Sequence, residues 1–275
     1  RSAKGSWPLL WYPDEYMTDY GKVSIITPCH NGAKTIGEAI ESVLGQSYAN
    51  WEMIIVDDCS TDDSVSVVKA FADPRIRLLQ NETNLGPGDT RNVGIRAASG
   101  RFLAFLDADD AWLPEKLAVQ TEFMATRDCA FSCHGYYVCD ESMNVISEYM
   151  PPARVTYADV LTNNTIGCLS AMIDTEKVGK VFMPEGKYTR EDMVTWLKVL
   201  KKCSECLGAP EKCGGCLSVG AVLAKYRTGA ASVSSNKAKL LKYQYRMYRD
   251  DLGLSSVRSA WLTLQSVWNK LFRKY

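Results

Sequence analysis

The 275-residue sequence predicts an α/β fold with a mainly parallel central sheet, followed by C-terminal helices. In residues 22–110, β-branched apolar runs alternate with segments of helical periodicity, which is the pattern of βαβ units. From residue 237 onward the apolar residues recur at helical spacing. Hydrophobic residues make up 46% of the chain and charged residues 23%, which are ordinary values for a globular domain with a substantial core.

The first half of the chain contains four predicted strands, at 22–28, 51–56, 76–79 and 102–106. Helices are expected at 35–46, after an N-cap at Thr61 or Asp62, and from 86 to about 99. The carboxyl ends of parallel strands share one edge of the sheet, where ligands bind in such folds. We therefore expect Pro28, Asp57-Asp58 and Asp107-Ala108-Asp109 to lie at one rim.

The second half predicts a helix at 115–127, β-rich segments at 130–138 and 144–149, a helix around 191–200, and helices at 237–249 and 257–275. We divide the chain into an N-terminal extension (1–21), a main domain (22–230) with a cysteine-rich insertion (203–216), and basic C-terminal helices (231–275).

The acidic run Asp107-Ala108-Asp109-Asp110 begins where an apolar strand stops. Two carboxylates in an Asp-x-Asp turn are close enough to share one hard cation, and Mg²⁺ or Mn²⁺ would also bind phosphate oxygens there. The alternative is a solvated acidic turn that caps the following helix.

Two further segments fit a nucleotide diphosphate. The carboxylate of Asp58 could accept a hydrogen bond from the N3–H of a uracil, although a strand-end turn explains it equally well. Gly86 and Gly88 permit close backbone approach, and Arg91 one turn later could pair with a diphosphate, unless this is an ordinary helix start.

The order and spacing of these motifs resemble those of family 2 glycosyltransferases over about residues 22 to 230. The resemblance rests on residues 23–31, 41–48, 54–62, 84–87, 91–92 and 105–110. It is strongest to bacterial enzymes that build capsule, O-antigen or teichuronic-type polysaccharides. It implies a GT-A fold and an inverting, metal-dependent transfer from a nucleotide sugar, usually a UDP-sugar, to a hydroxyl of a glycan or lipid-linked acceptor.

The resemblance also implies roles for single residues. The nucleotide sugar would be bound by Thr27, Pro28, His30, Asp58, Arg91, Asp107 and Ala108, with Arg91 near the diphosphate and Asp107 near ribose or metal. Asp109 would bind the metal. Asp192, in a Glu-Asp motif at 191–192, would be the catalytic base. Without the resemblance, the same two acids also fit the first turn of a helix, where a negative charge interacts favourably with the helix dipole. His30 stands where the family commonly has tyrosine.

Four cysteines form two Cys-x2-Cys pairs, Cys203, Cys206, Cys213 and Cys216. Four thiolates at this spacing are typical of a structural Zn²⁺ site, and this is the interpretation we favour. Disulfides, a redox pair, an iron–sulfur cluster or free thiols are the alternatives. The other six cysteines are scattered singly in apolar surroundings, so we expect a reducing, cytosolic compartment.

The C-terminal 40 residues are basic although the whole chain has no net charge. They contain nine Lys or Arg and two Asp, a balance of +7 that leaves −7 for the rest. Apolar residues recur at helical spacing in the last helix, at Val257, Trp261, Leu264, Trp268, Leu271 and Tyr275. This pattern predicts either an interfacial helix on the inner face of the cell membrane or a helix that packs on protein. No apolar run is long enough to span a bilayer.

Three other functions are less consistent with the sequence. A sugar nucleotidyltransferase would need a glycine-rich basic loop after the first strand, and residues 28–32 do not form one. A non-catalytic zinc-containing module would not need intact acids at Asp58, Asp107, Asp109 and Asp192. No nucleic-acid-binding module is recognisable, so we expect no nucleic-acid partner.

Overall fold

The computed structural model describes residues 18–186, 190–206, 215–229 and 237–272. The strands are β1 Val23–Cys29, β2 Trp51–Asp57, β3 Ile76–Gln80, β4 Phe102–Phe105, β5 Ala111–Trp112, β6 Phe131–Cys139, β7 Val145–Tyr149, β8 Arg154–Val155, β9 Met172–Asp174 and β10 Cys216–Arg227. The helices are α1 Ile36–Leu44, α2 Ser64–Lys69, α3 Pro87–Ala97, α4 Lys116–Thr126, α5 Tyr157–Thr162, α6 Thr175–Val178, α7 Glu191–Cys206, α8 Lys237–Arg246 and α9 Ser256–Phe272.

The described strands form one sheet in the order β3-β2-β1-β4-β9-β6-β10-β5, with β7 beside β6 and β8 beside β10. The half β3-β2-β1-β4 is parallel. Beyond it, β9 is antiparallel to β4 and β6, and β10 is parallel to β6. The predicted α/β class is confirmed, and the mixed half adds antiparallel pairs that the sequence did not indicate.

The parallel half is buried on both faces because helices cover both sides. Alternate residues of each strand enter different cores. Ile26, Ile54 and Phe105 pack in a core that includes Trp196 of α7. Ile25 packs on the opposite face, in a core that includes residues of α1 and α4. The strands are thereby fixed in register, and their carboxyl ends meet at one rim.

The predicted start of the second helix differs from the structure. Helix α2 begins at Ser64 rather than after Thr61 or Asp62, and its N-cap residue Asp63 makes no side-chain capping bond. Asp62 instead accepts hydrogen bonds from the backbone N–H groups of Ala33 and Ser64. Its carboxylate therefore ties two loops together rather than capping the helix.

The C-terminal region differs from the prediction in one turn. Helix α8 ends at Arg246 and continues as a π-helical turn, Met247–Asp251, before α9. The elements between 150 and 180 are two to six residues long, too short for periodicity to reveal them. Within the described residues, no helix has the length and apolar character needed to cross a membrane.

Candidate active site

The loop before α3 is held by the carboxylate at the end of β2. Asp58 accepts hydrogen bonds from the backbone N–H groups of Leu85 and Gly86, both at 2.8 Å, and from Asn81 Nδ2 at 2.9 Å. Burial alone would raise the pKa of Asp58, but these hydrogen bonds outweigh it and hold the pKa below its ordinary value. Asp58 is therefore an ionised acid that fixes the start of α3, with acceptor capacity left on its oxygens.

The residues expected at a nucleoside lie at different depths beside Asp58. His30 is exposed, and its Nδ1 lies 2.8 Å from the carbonyl oxygen of Asp58, to which it must donate. Pro28 is half-buried next to it. Thr27 is fully buried, so its side chain cannot be reached from solvent. An exposed ligand could contact His30 and Pro28 directly but not the Thr27 hydroxyl.

The acidic run after β4 forms a tight turn. The backbone N–H of Asp110 donates to the carbonyl of Asp107 at 3.1 Å. Arg227, at the end of β10, holds this turn from outside: its Nε donates to the Asp109 carbonyl and its backbone N–H to the Asp110 carboxylate, both at 2.9 Å. The turn therefore presents its acids in a fixed arrangement, with Ala108 half-buried between them.

The three acids of this turn differ in their surroundings. Asp110 is buried, and burial together with the charges of Asp107 and Asp109 raises its pKa well above the ordinary value. The pKa of Asp109 is also raised, first by loss of hydration next to the surrounding protein atoms and then by the charge of Asp107. Within the described residues, the Asp109 carboxylate makes no ion pair. A surplus of negative charge at oxygen ligands is what a divalent cation would neutralise.

Arg91 joins the turn to a distant helix. Its guanidinium, which is almost entirely buried, contacts the carboxylate of Asp107 through Nη2 and lies 3.2 Å from Glu191 Oε1 through Nη1. Asp107 follows β4, whereas Glu191 begins α7. This bridge brings the acidic turn and the Glu191-Asp192 pair into one site. It also means that the Arg91 charge, expected near a diphosphate, is already shared between two carboxylates.

Asp192 lies at the start of α7 with both oxygens hydrogen-bonded. Its Oδ1 accepts from the backbone N–H of Met193 at 2.7 Å, and its Oδ2 accepts from Asn164 Nδ2 at 2.8 Å. Burial nevertheless keeps the pKa of Asp192 above its ordinary value. A carboxylate with a raised pKa and a fixed orientation is suited to accept a proton.

Two tyrosines lie near both groups of acids. Tyr226 of β10 is partly exposed and packs against Tyr136 of β6, with ring centroids 5.8 Å apart. Burial raises the pKa of Tyr226, and the charges of Asp110, Asp109, Asp107 and Asp192 raise it further. The Tyr226 hydroxyl therefore lies close enough to all four acids to be affected by their charges, as expected if the acids surround one site.

The sequence alone did not indicate roles for four residues of this site, Glu191, Asn164, Arg227 and Tyr226. These residues are distant along the chain from most of the groups they contact, or lie in segments of irregular sequence, and spacing cannot reveal such contacts. Glu191 had the best signal, because it stands next to Asp192 in the Glu-Asp motif.

The structure gives no support to the zinc prediction. Cys213 and the side chain of Cys206 lie outside the described residues. Cys203 and Cys216 are buried in the apolar core, where Cys216 is near Cys133, Cys129 and Cys203. In the described ranges, no group of three or more His, Cys, Asp or Glu side chains is arranged to hold a metal ion. Burial raises the pKa of the Cys216 thiol.

Comparison with known proteins places this chain in a family. Residues 24–173 match the model "Glycosyl transferase family 2". The chain is 39% identical to a putative teichuronic acid biosynthesis glycosyltransferase of Bacillus subtilis, over 92% of this chain and 97% of that protein. It is 37% identical to the Escherichia coli UDP-Glc:α-D-GlcNAc-diphosphoundecaprenol β-1,3-glucosyltransferase WfgD, over 85% of this chain and 87% of that protein.

Two solved structures share the fold at low sequence identity. The crystal structure of S. aureus TarS in complex with UDP-GlcNAc has a TM-score of 0.67 at 20% identity, covering 91% of this chain and 73% of that one. The mannosyltransferase of Pyrobaculum calidifontis in complex with GDP-Man and Mn²⁺ has a TM-score of 0.63 at 15% identity, covering 99% and 80%. At this identity the likeness bears on the fold alone.

Proposed function

Because the chain belongs to glycosyltransferase family 2, we propose that it transfers a sugar from a UDP-sugar, with inversion, to a hydroxyl of a lipid-linked glycan during cell-surface polysaccharide synthesis. The observation that carries this proposal is the Arg91 bridge, which brings the Asp107 turn and Asp192 into one site. The names of the Bacillus subtilis and Escherichia coli relatives support the class of donor and acceptor.

Asp192 is the proposed base of a single displacement. The acceptor oxygen attacks C1 of the donor sugar, and the bond from C1 to the diphosphate oxygen breaks as UDP leaves. Asp192 accepts the proton of the attacking hydroxyl. Its hydrogen bonds from Met193 and Asn164 fix the orientation of the carboxylate, so that a free lone pair can face the acceptor.

Asp109 is the proposed ligand of a divalent cation, Mn²⁺ or Mg²⁺. Its oxygens are hard donors without an ion pair in the described part of the chain, and they fit an ion that takes most of its other ligands from phosphate oxygens and water, since the described residues hold no cluster of three acidic ligands here. Asp107, already paired with Arg91, would contact ribose or the same metal. A bound cation would neutralise charge on the leaving diphosphate.

The nucleoside is proposed to lie along His30, Pro28 and Asp58, with Ala108 beside the ribose. The exposed ring of His30 offers a face to the base, and Asp58 keeps the neighbouring loop closed. We place the reaction on the cytoplasmic side of a membrane, since Cys29, Cys133 and Cys139 are free thiols, as a reducing compartment would keep them.

A screen of nucleotide sugars tests the proposed donor. We expect the purified chain to release UDP from at least one UDP-sugar in the presence of Mn²⁺ or Mg²⁺ and to lose this activity with EDTA. Asp109→Asn should lower the rate by about 10²-fold or more, because the cation loses its main protein ligand. Glu122→Gln removes an exposed carboxylate from α4 and is the matched control, expected to have wild-type activity.

Several outcomes would contradict the proposal. UDP release that is equally fast with EDTA would remove the metal from the reaction. Formation of a nucleotide sugar from a sugar phosphate would indicate a nucleotidyltransferase instead. Binding of UDP-sugars without turnover, with any acceptor or water, would favour a non-catalytic module.

The hydrogen bond from Asn164 should set the acid limb of the pH–rate profile. The Asn164 amide stabilises the ionised form of Asp192, so its loss in Asn164→Ala should raise the pKa of Asp192 further. The base works only when ionised, so the fall in kcat/KM at low pH should begin at a higher pH. Asn163→Ala, which changes the preceding residue, should leave the profile in place. An unshifted profile in Asn164→Ala would show that Asp192 is not the titrating base.

A further inference from the structure

Helix α9 has two different faces. One face is buried and contains both polar and apolar residues, and the other is exposed and apolar. Ser259, Leu262 and Ser266 are buried, and the helix packs on α5 and α8. The opposite side carries an exposed stripe in which the exposed fractions are 83% for Val257, 67% for Trp261, 66% for Leu264 and 63% for Trp268. Single exposed apolar residues are ordinary, but a continuous stripe that includes two indoles marks an interaction surface.

The spacing of the stripe makes it linear. Positions that recur at intervals of four and three residues lie on one side of a helix. From Val257 to Trp268 the stripe is about 16 Å long at 1.5 Å per residue. The further predicted stripe residue Tyr275, and the side chains of Leu271 and Phe272, lie outside the described residues. The described stripe is straight and long enough to lie flat against an apolar layer.

The charge of the region indicates the chemistry of that layer. Residues 236–275 carry +7, whereas the rest of the chain carries −7. Arg246 of α8 and Arg258 of α9 are both exposed. An anionic surface would attract this end of the molecule and repel the remainder, so it would fix the orientation in which the chain approaches.

The same charges disfavour a second copy of the chain as the occupant. Two α9 stripes packed on each other would bring two segments of +7 together. The indoles of Trp261 and Trp268 also suit the boundary between headgroups and acyl chains, where tryptophan is enriched in membrane proteins. A layer that is apolar inside and negative at its surface matches both properties of the stripe.

We propose that α9 binds in the plane of an anionic phospholipid bilayer, with Val257, Trp261 and Leu264 buried at the boundary of headgroups and acyl chains. Arg246 and Arg258 lie at the level of the lipid phosphates. Binding does not depend on sugar transfer. Membrane binding by α9 would also bring the site close to a lipid-linked acceptor, and this further step rests on the proposed function.

Contacts connect this surface to the proposed base. The Tyr248 hydroxyl, in the π-helical turn after α8, donates to the carbonyl of Leu161 in α5. Gln244 of α8 accepts a hydrogen bond of 2.8 Å from Arg190, which directly precedes Glu191. Helix α8 and the π-helical turn, on which α9 packs, therefore contact the segments that precede Asn164 and Asp192. A bilayer bound by α9 lies at a fixed position relative to the site.

Vesicle sedimentation with the full chain tests the stripe. We expect the chain to bind vesicles of phosphatidylglycerol and phosphatidylcholine, and the variant Trp261→Ser/Leu264→Ser to bind at least tenfold more weakly. Val145→Ser/Ile146→Ser removes two exposed apolar residues from β7 and should bind like the wild type. UDP binding and the unfolding transition should be unchanged in both variants, which separates a lost surface from a lost fold. Wild-type vesicle binding by Trp261→Ser/Leu264→Ser would overturn the proposal.

The charge requirement is tested with lipid composition and salt. Binding should weaken severalfold in 0.5 M NaCl and in Arg246→Gln/Arg258→Gln, and it should be much weaker on phosphatidylcholine alone. Equal binding to neutral and anionic vesicles would overturn the proposal. So would a dimer, seen by sedimentation velocity, that Trp261→Ser/Leu264→Ser dissociates while no vesicles are bound. Neither result depends on whether UDP-sugar is turned over, so the two proposals can fail separately.

Discussion

Asp192→Asn is expected to lower the turnover number of sugar transfer by about 10²–10⁴-fold, the range that general-base catalysis contributes. The amide has nearly the shape of the carboxylate but cannot accept the proton of the acceptor hydroxyl. Its oxygen can keep the hydrogen bond from the backbone N–H of Met193, whereas the Asn164 side chain must turn its own oxygen toward the new NH2 group. Turnover should therefore fall while the affinity for UDP and the dependence on a divalent cation are retained.

The measurement is single-turnover transfer to a lipid-linked acceptor, with UDP affinity measured by calorimetry. Glu205→Gln removes an exposed acid from the other end of α7 and is the matched control for loss of charge on this helix. Turnover within a few-fold of the wild type in Asp192→Asn would exclude Asp192 as the base. A loss of UDP binding in the same variant would indicate a role in the donor site instead.

The part of the fold that depends on short sequence patterns was predictable. The strands β1 to β4 are apolar runs with clear ends, and the helices between them have regular periodicity, so the amino-acid pattern alone places the rim. Parallel pairing then follows from the connections. The family was predictable for the same reason, since its motifs lie at the ends of these strands.

The site was predictable only in part, because its contacts join distant segments. Arg91 and Glu191 are 100 residues apart, and Arg227 holds a turn 117 residues earlier. No periodicity or spacing connects such residues. The acids were predictable, and Arg91 was expected near a diphosphate, but the sequence did not indicate that Arg91 pairs with Asp107 and Glu191. The sequence also does not indicate that the Thr27 side chain is buried.

The spacing of the cysteine pairs does not by itself decide their chemistry. Cys203 lies on α7 and Cys216 begins β10, and both side chains face the apolar core. At a core position, a reduced thiol packs as a small hydrophobic group. The Cys-x2-Cys spacing at 203–206 is also one turn of helix α7, a geometry that the sequence pattern did not predict.

Arg91→Met should have the largest effect on stability. The change keeps an unbranched apolar stem close to that of arginine but leaves two carboxylates without their shared cation. The exposed fractions of the side chains are 7% for Arg91, 12% for Glu191 and 30% for Asp107, so water compensates the loss mainly at Asp107. Breaking a buried ion pair from one side costs about 3–5 kcal/mol, and we expect about 3 kcal/mol here because of the solvent at Asp107.

Urea denaturation of Arg91→Met and of the double variant Arg91→Met/Glu191→Gln separates this cause from lost packing. If the cost comes from the uncompensated charge of Glu191, neutralising that residue should restore about half of the lost free energy of unfolding. Lys22→Met, at a more exposed ion pair with Glu52, should cost less than about 1 kcal/mol and serves as the control. An equal loss in the single and double variants would show that Arg91 stabilises the fold by packing. In that case the bridge would not be what holds Asp107 and Asp192 in one site.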